Sequence, residues 1–213
     1  MTPPEKLMTA YLYAYGAVVR AGYVQDIDWA DDLRLVKPTP HYVLREGAWV
    51  IVNSGFRYAV ARKLWPRIGE AFHDFDIERV TAECLPAALA VLRHERKMGA
   101  IVELARIIRE QGIGLIVADA ARSPLLLTRL PYIGAVTCWH FAKLLGADVV
   151  KPDVHLVRAA KEAGYGTPLA LCEAIKANTG DRLTVVDSVL WRYGEQQKAQ
   201  GWPDWAALWK GNG

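Results

Sequence analysis

Leu130-Pro131-Tyr132-Ile133-Gly134-Ala135-Val136-Thr137 is the stretch on which the reading of the fold turns. Residues 125–129 read as the end of one helix. Pro131, with a fixed φ and no amide hydrogen, stops it. Gly134 permits a close approach of the chain, and residues 135–145 read as the next helix. So short a turn leaves backbone N–H groups at the N-terminus of the second helix, and with the helix dipole these suit a phosphate. Taken alone, the turn is equally an ordinary helical hairpin.

Further on stands Val149-Val150-Lys151-Pro152-Asp153-Val154-His155-Leu156-Val157-Arg158. Pro152 biases Lys151 towards an extended backbone, so Asp153 falls at the N-cap of an amphipathic helix. Capping alone would account for an aspartate there. Lys151 has three readings: a phosphate contact, an electrostatic partner of Asp153, or an amine nucleophile. Arg158 either supplies counter-charge to a polyanion or holds Asp153. His140 and His155 sit on helices and read as structural.

Outward from these motifs, nearly every periodic segment has helical spacing. Leu7, Tyr11, Ala14 and Val18 form one stripe over residues 5–20, with Gly22 just past its end. Met98, Ile101, Val102, Ala105 and Ile108 form another over 94–110, with Arg96, Lys97, Glu103, Arg106 and Arg109 assigned to the polar face. Residues 41–52 and 56–72 predict two helices broken at Asn53-Ser54-Gly55. Further helices are predicted at 153–164, 168–178, 182–194 and 203–210. Residues 23–40, rich in Asp and Pro, read as a loop, and the Gly211-Asn212-Gly213 end as frayed. Alternating strands are missing. The predicted fold class is all-α, a single domain over 1–213 with its hairpin and catalytic loop at 125–164.

With 52% hydrophobic and 23% charged residues, global disorder is excluded. No apolar run is long enough to span a bilayer, and Met1-Thr2-Pro3-Pro4-Glu5-Lys6 lacks the layout of a secretion signal. The expectation is a cytoplasmic monomer without a membrane partner. Cys84, Cys138 and Cys172 form no C-x-x-C pair, so neither a zinc ribbon nor a disulfide framework is indicated. No metal site is expected. The net charge is +3. Residues 122–162 contain six basic and three acidic side chains, an excess as large as that of the whole chain.

Together the two motifs resemble the helix-hairpin-helix DNA glycosylase superfamily, which shows a Leu-Pro-x-[Val/Ile]-Gly hairpin followed, some two dozen residues later, by an Asp-x-His-[Val/Leu]-x-Arg helix start. Ser54-Gly-Phe56, Trp65-Pro-Arg67, Glu70-Ala-Phe72-His-Asp-Phe75-Asp and Arg96-Lys97-Met98-Gly-Ala-Ile101 are similar to the 3-methyladenine glycosylase branch. The resemblance covers about residues 41–165. Four departures stand out. Tyr132 replaces the first hairpin glycine, and Val136 occupies the position of the Schiff-base lysine of bifunctional lyases. Asn53 lies where the 3-methyladenine branch has a pocket glutamate, and that branch's Cys/His zinc set has no counterpart here.

The resemblance implies a two-lobed fold with a cleft between the lobes and a base flipped out of a DNA duplex. Asp153 would stabilise positive charge developing on the sugar and orient water, with Lys151 beside it. Asn53, Ser54, Phe56 and Trp139 would form the base pocket, with Trp49, Trp65 and Trp191 as further candidates. The other reading of each tryptophan is core packing. Tyr132, Gly134, Val136 and Thr137 would offer a phosphate site, with Lys143 and Arg158 as counter-charge. No cofactor is required, although relatives hold a monovalent cation at the hairpin. The expected activity is monofunctional base excision without strand cleavage. A second expectation comes from likeness to phage thymine-hypermodification proteins of the same fold, in which an amine displaces a (pyro)phosphate from 5-hydroxymethyluracil in DNA. A third is a non-catalytic DNA-binding module.

Overall fold

The structure is a computed structural model that describes residues 3–210. Within them, every regular element is helical and no strand occurs. In chain order the α-helices are α1 (Pro3–Arg20), α2 (Val24–Asp32), α3 (Pro40–Asn53), α4 (Tyr58–Ala71), α5 (Leu85–Val91) and α6 (Glu95–Gln111). They continue with α7 (Gly114–Arg122), α8 (Thr137–Leu144), α9 (Val154–Glu162), α10 (Pro168–Thr179), α11 (Leu183–Gln200) and α12 (Trp205–Lys210). None of them is long and apolar enough to cross a membrane. The chain divides into two compact units, one of Met1–Leu35 with Asp148–Gly213 and one of Val36–Ala147.

The first unit is organised by α11, against which α1, α2, α9 and α10 pack. The predicted α1 stripe of Leu7, Tyr11, Ala14 and Val18 is buried, facing Val186, Val189, Leu190 and Tyr193 of α11 in one core. Burying such side chains contributes about 1.5–3 kcal/mol each. Their polar tips are satisfied: Tyr11 Oη donates to Asp181 Oδ2 at 3.0 Å, and Trp209 Nε1 donates to Ala159 O at 3.1 Å. Gly194 lets α9 lie close on α11, because a Cβ there would stand 3.1 Å from His155 Cβ. That fits the structural reading of His155.

Residues 23–40 are not the predicted loop. They contain α2 and a 3-10 turn over Leu33–Leu35. Ile27, Ala30 and Leu33 recur every three residues and are buried, which holds a helix despite its four aspartates. Asp26, in the first turn, suits the helix dipole and accepts from Arg192 Nε at 2.7 Å. The helix predicted at 182–194 runs on to Gln200, and Gly211-Asn212-Gly213 lies outside the described residues.

The second unit is built on α3, which packs against α6 and α8. Thr39 caps α3, accepting from Tyr42 N at 3.2 Å, and Pro40 opens its first turn. At Gly47 a Cβ would come within 2.4 Å of Leu104 Cδ2 and 3.2 Å of Phe141 Cζ, both fully buried. Gly47→Ala is therefore expected to destabilise by about 1–2 kcal/mol. Overpacking outweighs the helix-propensity gain of roughly 1 kcal/mol. A urea midpoint at or above that of the wild type would contradict this packing. Residues 125–129 do not close an α-helix. Pro124–Arg129 form a 3-10 segment, and α8 starts at Thr137 rather than Ala135. Cys84, Cys138 and Cys172 are free and buried.

Candidate functional site

The candidate residues fall into two groups, one in each unit. In the first unit, Asp153 has extended backbone and caps α9. Its Oδ1 accepts from His155 N at 3.0 Å and Leu156 N at 3.2 Å. The other carboxylate oxygen, Oδ2, lies 3.7 Å from Lys151 Nζ. Lys151 is fixed by its backbone, its N–H donating to Asp187 Oδ1 at 2.9 Å. Two amides thus pin one carboxylate oxygen while the ammonium sets the surroundings of the other. Arg158 is exposed and does not hold Asp153.

In the second unit, Asn53 ends α3, and Ser54 and Phe56 follow in the break before α4. The turn at Tyr132 packs on the same place. Tyr132 has φ +61°, the left-handed region that costs an L-residue roughly 1–2 kcal/mol and where the resembling hairpins carry glycine. Its ring meets His94 edge-on at 5.8 Å, and its Oη lies 3.4 Å from His94 Nε2. His94 in turn caps α6, accepting from Lys97 N at 3.3 Å.

Lys97 joins these pieces, and the sequence reading misplaces it. Assigned to the polar face, it is 2% exposed. Its Nζ donates to Val52 O at 2.7 Å and Ser54 O at 2.5 Å, and lies 4.5 Å from the centre of the Phe56 ring and 5.6 Å from that of Tyr132. Burial pushes its pKa down to about 8, while the two carbonyls and two ring faces favour the charged form. Arg96 lies over the Tyr132 ring at 5.7 Å. Asn53 Oδ1 is buried and accepts no hydrogen bond. The helical spacing held the missed signal, since Lys97, Ile101, Leu104 and Ile108 form one stripe.

No protein-family model, curated protein or solved structure matches this chain. The motifs and their geometry are therefore what the functional reading stands on.

Several expectations about DNA contacts change. The positive segment is divided between the two units. The boundary between the units leaves Arg122, Arg129 and Lys143 in one, and sets Lys151, Arg158 and Lys161 against Asp148, Asp153 and Glu162 in the other. Arg122 and Arg129 both pair with Asp119, at 3.5 and 2.9 Å. Lys143 is buried at 5% exposure, so it is not presented as a phosphate contact. Arg158 and Lys161 are exposed, with no ion-pair partner among the described residues.

At the hairpin, Gly134 N–H is already donated to Thr137 Oγ1 at 2.8 Å. The Gly134 carbonyl accepts from Cys138 N and Thr137 Oγ1, and that of Leu130 from Ile133 N. No step is assigned to a cation there. Val136 is 44% exposed and brings no nucleophile. Trp139 is half-buried on α8. Trp49 and Trp65 pack edge-on at 5.2 Å, and Trp65 stacks on Phe75 at 4.9 Å, the packing alternative. Trp191 belongs to the first unit, partly buried against its core.

Proposed function

We propose that the chain is a monofunctional DNA base-excision glycosylase of the two-lobed helix-hairpin-helix kind. The observation that carries the reading is Asp153. It stands at the start of the Asp-Val-His-Leu-Val-Arg helix, with Oδ1 pinned by two amides and Oδ2 beside Lys151. In the proposed reaction the bond between the base and C1′ of the sugar breaks as water attacks C1′. The carboxylate stabilises the positive charge that develops on the sugar and orients the water. The flipped base would be received at Asn53, Ser54 and Phe56. Partners are DNA duplexes carrying a modified base, with Arg158 among the phosphate contacts.

A second reading has one observation in its favour. Lys151, whose ammonium lies 3.7 Å from Asp153 Oδ2, would bind a phosphate oxygen of a 5-phosphomethylated uracil, and an amine would then attack the methylene carbon and release the phosphate. Nucleoside mass spectrometry after incubation with duplexes carrying uracil, 5-hydroxymethyluracil, its phosphate or alkylated purines separates the readings. Excision releases free base; transfer, with a primary amine added, releases phosphate and leaves an amine-substituted base of altered mass in the DNA; a binding module changes nothing.

Strand cleavage by β-elimination is not expected. The amine it needs is replaced by Val136, and Lys151 is paired with Asp153. Borohydride should trap no covalent adduct with a substrate duplex. An adduct that disappears in Lys151→Ala would make Lys151 a nucleophile.

A further inference from the structure

Two features of the Asn53–Phe56 break bear on what it could bind. Asn53 Oδ1 is a buried acceptor without a donor, a state that costs free energy unless a ligand supplies an N–H. Lys97, which donates to the carbonyls of the residues on either side of Asn53, is a buried cation whose surroundings bring dipoles but no carboxylate. Its neighbours are two carbonyl oxygens and two ring faces, and among the described residues no carboxylate lies within ion-pair distance of it. Arg96, over the Tyr132 ring, adds a second positive charge to the same cluster.

We infer that this site is selective by charge, accepting an uncharged or anionic nucleobase and excluding purines made cationic by ring alkylation. The inference rests on the glycosylase reading and names its substrate class. An aromatic face ordinarily attracts a cationic base. Here the Lys97 ammonium already occupies one face of Phe56, whose side chain is 36% exposed. A base stacked on the opposite face would lie roughly 8 Å from that ammonium, where a second positive charge is disfavoured by about tenfold or more at an effective dielectric near 20. Asn53 Oδ1 asks for an N–H, which the pairing edge of an unalkylated pyrimidine provides. A phosphate on such a base would be attracted rather than repelled. Tyr132, kept in a left-handed conformation that glycine would hold without strain, contributes the second ring over Lys97. That gives the strained residue a purpose.

The test uses duplexes of one sequence carrying uracil, 5-hydroxymethyluracil, 5-phosphomethyluracil or 7-methylguanine, with the wild type, Lys97→Gln and Lys97→Met. Within each protein, the rate on the best uracil-type base is divided by the rate on 7-methylguanine, a ratio indifferent to the folded fraction. The wild-type ratio should be at least about tenfold, and both variants should move it towards one. Equal wild-type rates, or a ratio unchanged in the variants, overturn the inference. Fluorescence anisotropy with the same duplexes separates the two levels of the argument. If no duplex is bound or altered, the glycosylase reading fails and takes this inference with it. Duplexes bound or processed without regard to charge overturn the charge selection alone.

Discussion

Asp153→Asn is expected to abolish turnover, by about 10²–10⁴-fold or more, while the protein stays folded and binds DNA as before. Asparagine keeps Oδ1, and with it the acceptor for His155 N and Leu156 N that starts α9. Asparagine and aspartate are nearly equal as N-caps. What the substitution removes is the charge at Oδ2, the oxygen facing Lys151 at 3.7 Å. A partly exposed ion pair of that length is worth no more than about 1 kcal/mol, so the thermal midpoint should shift by roughly 4 °C at most. Asp153→Ala is a less clean variant, because it also removes the cap at a cost of about 0.5–2 kcal/mol. The measurement pairs a single-turnover rate on whichever base mass spectrometry identifies with a melting curve and a binding isotherm. A well-folded Asp153→Asn protein that turns over at the wild-type rate would return Asp153 to a capping role.

The two groups of candidate residues, one in each unit, were legible in the sequence to different depths. Asp153 was readable because Pro152 and an amphipathic helix fix a cap locally, without reference to distant residues. The α1 stripe was readable for the same reason, since four apolar residues at helical spacing leave little choice of face. Residues 23–40 misled because aspartates and prolines signal a turn, whereas Ile27, Ala30 and Leu33 found a core to bury against. Tertiary burial overrode local propensity. Lys97 was misassigned because a lysine counts as surface by default. Only the partners supplied by the break after α3, Val52 O and Ser54 O, make its burial tolerable, and nothing near Lys97 in sequence announces them. The pairing of Arg129 with Asp119 likewise depends on how the 3-10 segment after α7 folds back, whereas Arg122 reaches Asp119 as an i,i+3 pair within α7. Counting charges along the chain therefore overstated the positive field.

The burial of Lys97 has a consequence for stability that needs no substrate. Its pKa is about 8 in the folded protein against an ordinary 10.5. As pH rises through 8 the folded state loses this proton, while the unfolded chain keeps its own until about 10.5. Over that window the unfolded state binds more protons, so the Lys97 contribution to stability rises with pH. Between pH 7.5 and 9.5 the gain is about 2 kcal/mol. Tyr11, Tyr42 and Tyr193 work in the opposite sense. Burial raises the pKa of each, so folded tyrosines keep protons that the unfolded chain gives up near pH 10, and stability falls there. Burial raises the Cys138 thiol too, with the same sign. Both opposing effects are present in Lys97→Met, which lacks only the amine. The informative quantity is therefore the wild-type minus variant difference in unfolding free energy, followed by urea titration from pH 7.5 to 9.5. It should move by about 2 kcal/mol in favour of the wild type as pH rises. A difference that stays flat would mean that the Lys97 amine does not titrate below its ordinary range, the two carbonyls and two ring faces offsetting its burial.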